Sequence, residues 1–137
     1  MAYETINFEK MDGVGVITMN RPESRNALIP QMIAEMGEAI QACKRPDVRA
    51  VLLTGAGGGF CSGADLKFVV ETLDGDDPKK LQAYIKALAD DLHHKVVLEL
   101  RRLEKPVVAG INGVAAGAGF SLTLGCDIRW PPKAPGS

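Results

Sequence analysis

The fold is decided by residues 50–66, which read AVLLTGAGGGFCSGADL. The apolar run over residues 50–53 is typical of a buried strand. Glycines dominate residues 55–59 and break the strand pattern, and a helical pattern begins around Asp65. A strand, a glycine loop and a helix start leave backbone N–H groups without partners at the head of the helix, where they stabilise negative charge. For this stretch alone, a tight turn that needs glycine for its backbone conformation is an equally good interpretation.

A second stretch repeats this order at residues 106–122, which read PVVAGINGVAAGAGFSL. It contains a short apolar strand, a loop of small residues and an apolar helix start. Two such units could direct two backbone N–H groups at one point, and two donors on one oxygen form an oxyanion hole. Because an oxyanion hole stabilises charge that develops on a carbonyl oxygen, the two stretches together favour carbonyl chemistry over a simple turn.

With two further motifs, the chain resembles the enoyl-CoA hydratase/isomerase family, also called the crotonase superfamily. Each motif is weak alone, but their order and spacing agree from about Ile6 to Arg129. The resemblance implies an α/β fold, a crotonase-like spiral of repeated β-β-α units, of which this chain would be the N-terminal half. The matching segments are residues 20–28 (NRPESRNAL), Gly55 with residues 60–66 (FCSGADL), residues 106–109 (PVVA) with 112–119 (NGVAAGAG), and residues 126–128 (CDI).

The other segments predict the elements around these motifs. Alternating residues on both sides of Asp12 and Gly13 indicate a β-hairpin. Apolar residues at helical spacing predict a helix that begins at Pro30. A longer apolar stripe predicts one amphipathic helix over residues 78–102. We expect part of a crotonase-like domain over residues 1–130, an irregular Pro-rich tail over residues 131–137, and exposed apolar surface on a half spiral.

Composition narrows the function classes. The chain has 137 residues, a formal net charge of −1 and 46% hydrophobic residues, which are the values of an ordinary globular domain. The near-zero charge gives no case for binding nucleic acid or an anionic membrane, and no apolar run is long enough to span a bilayer. The first residues lack the pattern of a signal peptide, and three cysteines without paired spacing suit a reducing compartment. We therefore expect a cytoplasmic protein.

The resemblance also implies where an acyl-CoA thioester would bind. It places the two N–H groups of the oxyanion hole at Ala64 and Ala118, the Arg25 cation near the coenzyme A phosphates, and Ala27 beside the adenine end. From the residues alone, Arg21 and Arg25 could grip a phosphate together, and a solvated loop is the alternative. No permanently bound cofactor and no metal is expected, since coenzyme A arrives as part of the substrate. The substrate-binding residues that the resemblance implies are Arg25, Ala27, Ser62, Asp65, Leu66, Lys67, Val114 and Gly117.

The acid–base residues are harder to place. Hydratases of the family carry a glutamate two residues after the Gly-x-Gly of the second loop, and this chain has Ser121 there. A serine is not a base of suitable pKa without help, so an isomerase is favoured over a hydratase. The resemblance implies that the acid lies beyond Ser137 and that the protein forms a homo-oligomer, a trimer or hexamer. A non-catalytic CoA-thioester-binding module or pseudoenzyme, and a structural subunit fragment, are the alternatives.

Other features favour plain structural roles. Asp65 suits the first turn of a helix, where an acid complements the helix dipole. The acidic residues 74–78 do not complete a calcium-loop pattern and indicate a solvated linker. His93 and His94 are adjacent, so they cannot chelate one metal from one helix face, and they are expected at the surface. Cys61 is small and apolar enough for a buried loop position, which we favour over a reactive thiol.

Overall fold

The structure is a computed structural model that describes residues 3–73, 75, 77–111, 114–115, 118–123 and 125–130. Its strands are β1 (Ile6–Met11), β2 (Val14–Met19), β3 (Ala50–Gly55), β4 (Gly59–Cys61), β5 (Val107–Gly110), β6 (Val114–Ala115) and β7 (Ile128–Trp130). Its α-helices are α1 (Pro30–Ala42), α2 (Leu66–Leu73), α3 (Pro78–Leu92), α4 (Leu98–Arg102) and α5 (Ala118–Thr123), with a 3-10 turn at Pro22–Ser24 and a π-helical turn at His93–Val97.

The strands form two sheets that the chain visits in turn. The larger sheet has the order β1-β2-β3-β5-β7, with β1 and β2 antiparallel and all other neighbours parallel. The smaller sheet pairs β4 with β6 in parallel. Thus β3 and β4 lead into α2, and β5 and β6 lead into α5 with the same sheet assignments. The predicted α/β class and the repeated β-β-α unit are confirmed.

The opening hairpin forms as predicted. β1 and β2 pair from Ile6 opposite Met19 to Met11 opposite Val14. The two turn residues, Asp12 and Gly13, both have positive φ angles of 51° and 82°. A two-residue hairpin turn of this kind needs left-handed backbone at both positions, which is why an Asp-Gly pair predicts it.

Helix α1 supplies much of the core. Pro30 stands in its first turn, and its apolar stripe is at most 1% exposed to solvent. After the helix, the Lys105 ammonium donates to the carbonyl oxygens of Cys43 and Arg45 at 2.5 and 2.7 Å. A cation at a helix C-terminus satisfies carbonyls that have no intrahelical donor. The fully buried residues of this segment are Met32, Ile33, Met36, Ala39, Ile40 and Cys43.

The predicted long helix is continuous but not uniform. It runs through α3, the π-helical turn and α4. The π turn packs beside Gly37 of α1, where an added Cβ would lie 3.5 Å from the Lys95 carbonyl oxygen. Periodicity alone did not predict this turn, because one extra residue barely disturbs a stripe of apolar positions. His93 and His94 are exposed, as expected.

The acidic linker gives the long helix its cap. The Asp77 side chain accepts a hydrogen bond from the Lys79 N–H at 3.0 Å, in the N-cap position. Asp74 and Asp76 lie outside the described residues, as does the predicted tail over residues 131–137. Within the described part of the chain, no group of three or more His, Cys, Asp or Glu residues could hold a metal ion.

Some apolar surface is exposed. Leu66 and Val70 lie one turn apart on α2 and are 61% and 38% exposed, and Met11 and Ile128 are 57% and 53% exposed. None of the helices in the described ranges is long and apolar enough to cross a membrane.

The N-terminal segment is fixed by one carboxylate, which gives a pH-dependent prediction. Glu35 accepts hydrogen bonds from the Thr5 N–H and hydroxyl and from the Glu4 N–H. Burial raises the pKa of Glu35, but these hydrogen bonds outweigh burial, so its pKa lies below the ordinary value. A depressed folded pKa adds stability above the unfolded pKa, about 4.3, and this stability disappears as the pH falls through the folded value.

We therefore expect Glu35→Gln to lower the free energy of unfolding by about 1–2 kcal/mol at pH 7, because charged hydrogen bonds become neutral ones. The difference from wild type should shrink as the pH falls below the unfolded pKa, about 4.3, and vanish only below the depressed folded pKa. Urea unfolding at pH 7 and pH 3.5 measures both values. A difference that stays constant between the two pH values would contradict this account of Glu35.

Candidate functional site

The loop over residues 20–28 is held against the glycine loop by one buried amide. Asn26 is fully buried and has a left-handed φ of 57°. Its side-chain nitrogen donates to the carbonyl oxygens of Ala56 and Gly59 at 3.0 and 2.9 Å, and its side-chain oxygen accepts from the Arg21 N–H at 2.8 Å. Asn26 therefore satisfies three backbone groups from two separate loops at once.

The Arg21 guanidinium connects this loop to the start of helix α2. One of its nitrogens donates to the Ala27 carbonyl, and another lies 2.9 Å from a carboxylate oxygen of Asp65. The two side chains are only 18% and 12% exposed. Because two nitrogens of Arg21 already bind protein acceptors, the structure disfavours the alternative in which Arg21 and Arg25 grip a phosphate together.

Asp65 caps helix α2. Its second carboxylate oxygen accepts from the Phe68 N–H at 3.0 Å, the N-cap arrangement. Burial raises the pKa of Asp65, but the hydrogen bond from Phe68 and the nearby Arg21 cation outweigh burial and lower it. A carboxylate with a depressed pKa is a weak general base at neutral pH, so the acid–base residue is to be sought elsewhere.

Hydrogen bonds to Leu28 orient the peptide plane that carries the Ala64 N–H. The Leu28 N–H donates to the Gly63 carbonyl at 2.7 Å, and the Asp65 N–H donates to the Leu28 carbonyl at 3.0 Å. In a trans peptide plane the C=O and N–H point in opposite directions. Since the Gly63 C=O faces Leu28, the N–H of Ala64 in the same plane faces away from it. No acceptor for this N–H occurs in the part of the chain that the structure describes.

The second loop is brought against the first. β6 pairs with β4, with Val114 opposite Gly59. Helix α5 begins at Ala118, and the next residue, Gly119, approaches so closely that an added Cβ would lie 2.3 Å from the Cys61 carbonyl oxygen. The chain segments that carry Ala64 and Ala118 therefore share one region of the molecule.

The other predicted binding residues surround this region in part. Arg25 is exposed, and its guanidinium has no hydrogen-bond or ion-pair partner among the described residues, while its carbonyl accepts from the Ser62 N–H at 3.1 Å. Ala27 is 6% exposed, and Leu66 and Lys67 face solvent. Gly117 lies outside the described residues, as do the side-chain surroundings of Val114. The site assignments stay predictions.

The cysteines are buried. Cys43, Cys61 and Cys126 are all free thiols, and burial raises the pKa of Cys61 to about 11. A thiol with that pKa carries almost no thiolate at neutral pH, which agrees with a structural rather than a reactive Cys61.

One open groove in the described part of the chain lies away from this region. A groove of about 590 Å³ runs between α1 and the long helix and is lined by Pro30, Tyr84 and His94 among others. None of the predicted site residues lines it, so the backbone geometry at Ala64, rather than the groove, identifies the candidate site.

One residue and one pairing of the site escaped sequence reasoning. Asn26 carries a usable signal, because asparagine is enriched where a non-glycine residue has positive φ. The pairing of Arg21 with Asp65 joins residues far apart in the chain and leaves no local pattern. The strands β4 and β6 were also missed, since they have three and two residues and no measurable alternation.

Known proteins with similar sequences place the chain among its relatives. The 1,2-epoxyphenylacetyl-CoA isomerase of Escherichia coli (strain K12) is 41% identical over 118 residues, and the enoyl-CoA hydratase EchA19 of Mycobacterium tuberculosis is 41% identical over 115 residues. These matches cover 85% and 83% of this chain but only 43% and 41% of the relatives. The chain thus spans less than half the length of these curated relatives.

A solved structure and a family model complete the comparison. The crystal structure of an enoyl-CoA hydratase/isomerase from Xanthobacter autotrophicus Py2 has a TM-score of 0.80 and 32% identity over 93% of this chain and 46% of that one. The model of the enoyl-CoA hydratase/isomerase family matches residues 9–133. The fold is the crotonase fold, and the chain belongs to the enoyl-CoA hydratase/isomerase family.

Proposed function

We propose that this chain forms the oxyanion-hole part of an acyl-CoA thioester enzyme, with the N–H groups of Ala64 and Ala118 binding the thioester oxygen. The observation that supports the proposal most is the Ala64 peptide plane, whose N–H points away from its own strand partner and has no acceptor in the described residues. The donor belongs to the backbone, so it is fixed before substrate binds. One donor of this kind contributes about 3–4 kcal/mol to transition-state stabilisation.

The coenzyme would bind along the loop over residues 20–28 and the start of α2. The Arg25 cation is exposed without a described partner and suits the phosphates. Ala27 leaves room beside the adenine end, and Leu66 and Lys67 would line the channel. Coenzyme A is part of the substrate in this proposal, and no resident cofactor is needed for enolate chemistry.

The reaction class follows from one substitution. Ser121 stands where hydratases of the family have a glutamate, and a serine cannot replace it as a base without help. We therefore favour isomerisation over hydration. The relatives are more than twice as long as the part that this chain matches, so the acid would come from a region outside that match or from another subunit. A trimeric or hexameric assembly is part of the same proposal.

A second candidate function rests on the same substitution. If no acid is supplied, the chain is a CoA-thioester-binding module or pseudoenzyme that binds without turnover. A structural subunit fragment is the remaining alternative. Calorimetric titration with a saturated acyl-CoA comes first, because the enzyme and the binding module both predict binding and the structural fragment does not. An assay with an enoyl-CoA then separates the enzyme from the binding module.

Arg25 gives the sharpest binding prediction. Arg25→Gln should weaken acyl-CoA binding about 10-fold, equivalent to about 1.4 kcal/mol, because a phosphate loses its cation. Arg45→Gln is the matched control, since Arg45 is 75% exposed and only loosely paired with Asp47 at 3.9 Å. Equal affinities for wild type and both variants in the titration would contradict the placement of the phosphates at Arg25.

A further inference from the structure

Two peptide groups form a single line of hydrogen bonds that begins at Arg21. The guanidinium donates to the Ala27 carbonyl, and the N–H in that same peptide plane belongs to Leu28. The Leu28 N–H donates to the Gly63 carbonyl at 2.7 Å, and the N–H in that next plane belongs to Ala64. In each trans plane the carbonyl and the N–H point in opposite directions, so the hydrogen bonds follow one another in the same direction from Arg21 to Ala64.

We propose that Arg21 is a positioning residue that orients and polarises the Ala64 N–H through these two peptide groups, an inference that rests on the proposed oxyanion hole. A cationic donor on the first carbonyl pulls electron density along the line and makes each following N–H a better donor. The last N–H is the one aimed at the substrate oxygen.

A second guanidinium nitrogen of Arg21 helps to fix the peptide plane on the C-terminal side of Ala64. It binds the Asp65 carboxylate at 2.9 Å, and the Asp65 N–H donates to the Leu28 carbonyl at 3.0 Å. Ala64 is therefore held between two peptide planes, both tied to Leu28 and both tied to the one guanidinium. Arg21 reaches the Ala27 oxygen and the carboxylate with two different nitrogens of its planar fork, whereas lysine has a single nitrogen, so lysine is an incomplete substitute.

The test uses the natural gene product that carries this chain and a conjugated aryl-enoyl-CoA thioester as the probe. Polarisation of its carbonyl by the hole shifts its absorption to longer wavelength, and this shift is read without turnover. Arg21→Gln should bind the probe yet lose about 10–30% or more of the red shift, the range by which one hydrogen bond polarises the next. Arg21→Lys should lose less, and the exposed Arg45→Gln control should lose none.

Where turnover is measurable, the separate effects on kcat and KM give a second test. Arg21→Gln should lower kcat about 10-fold and change KM less than about threefold, against the 100- to 1000-fold cost, roughly, of removing a whole donor. A full red shift and full kcat in Arg21→Gln would overturn the role of Arg21. If that variant does not fold, Arg21→Lys decides, and a full red shift there overturns the proposal too. No red shift in the wild type would instead remove the oxyanion hole itself.

Discussion

Replacing Gly119 by alanine should separate helix α5 from strand β4 and abolish the second half of the proposed oxyanion hole. An added Cβ would lie 2.3 Å from the Cys61 carbonyl oxygen and 2.8 Å from the Cys61 Cβ. Both are held by the sheet, so α5 must move. We expect the free energy of unfolding to fall by about 1–3 kcal/mol. Because Ala118 is the neighbouring residue, a displacement near 1 Å should lower turnover about 100-fold.

Gly58 provides the matched control for this substitution. It lies in the first glycine loop, and no heavy atom lies within 4 Å of an added Cβ there. Gly58→Ala should leave stability within about 0.5 kcal/mol of wild type. Urea unfolding of both variants, followed by acyl-CoA titration and a turnover assay, makes the comparison. If Gly119→Ala matched Gly58→Ala in stability and binding, the close packing of the two loops would not be what builds the site.

Asn26→Ala should be the most destabilising change in the first loop. It removes two donors to the Ala56 and Gly59 carbonyls and the acceptor for the Arg21 N–H, in buried or partly buried surroundings. Each unsatisfied buried group costs about 1–3 kcal/mol, and alanine at positive φ adds about 1 kcal/mol. We expect a loss of about 3–5 kcal/mol, a large share of the 5–15 kcal/mol, roughly, that stabilises a typical domain.

Asn26→Gly separates the two causes, since glycine accepts the left-handed backbone but cannot make the hydrogen bonds. It should recover only the backbone part, about 1 kcal/mol, relative to Asn26→Ala. Thermal and urea unfolding of the two variants measure the difference. A glycine variant as stable as the wild type would mean that the amide network contributes little.

Much of the fold could be predicted from local patterns. The Asp12–Gly13 turn, the apolar stripe of α1 and the stripe over residues 78–102 are periodic or carry strong turn chemistry, and all three formed as predicted. The short strands of the second sheet and the π-helical turn could not be predicted, because tertiary pairing and packing decide them. The few residues of the short strands and of the π-helical turn show no periodicity that would predict them.

Of the candidate site, only the small-residue backbone loops could be predicted from the sequence. Glycines and alanines at residues 55–64 and 112–119 indicate close backbone approach, and Val114 and Gly119 lie against strand β4. The polar network that fixes the geometry could not be predicted, because the sequence indicates phosphate binding or a solvated loop for Arg21 and no role for Asn26. The hydrogen bonds that join Asn26 and Arg21 to the other loop and to Asp65 span 30 to 44 residues of sequence. Long-range hydrogen bonds of this kind have no local signature.

The most direct test of the account is the carbon-13 chemical shift of a saturated acyl-CoA labelled at its thioester carbonyl and bound to the natural gene product. Two N–H donors on the thioester oxygen polarise the carbonyl before any reaction. The account predicts a downfield shift on binding, smaller in Arg21→Gln and unchanged in Arg45→Gln. A bound thioester whose carbonyl resonates at its free position would contradict the oxyanion hole at Ala64 and Ala118.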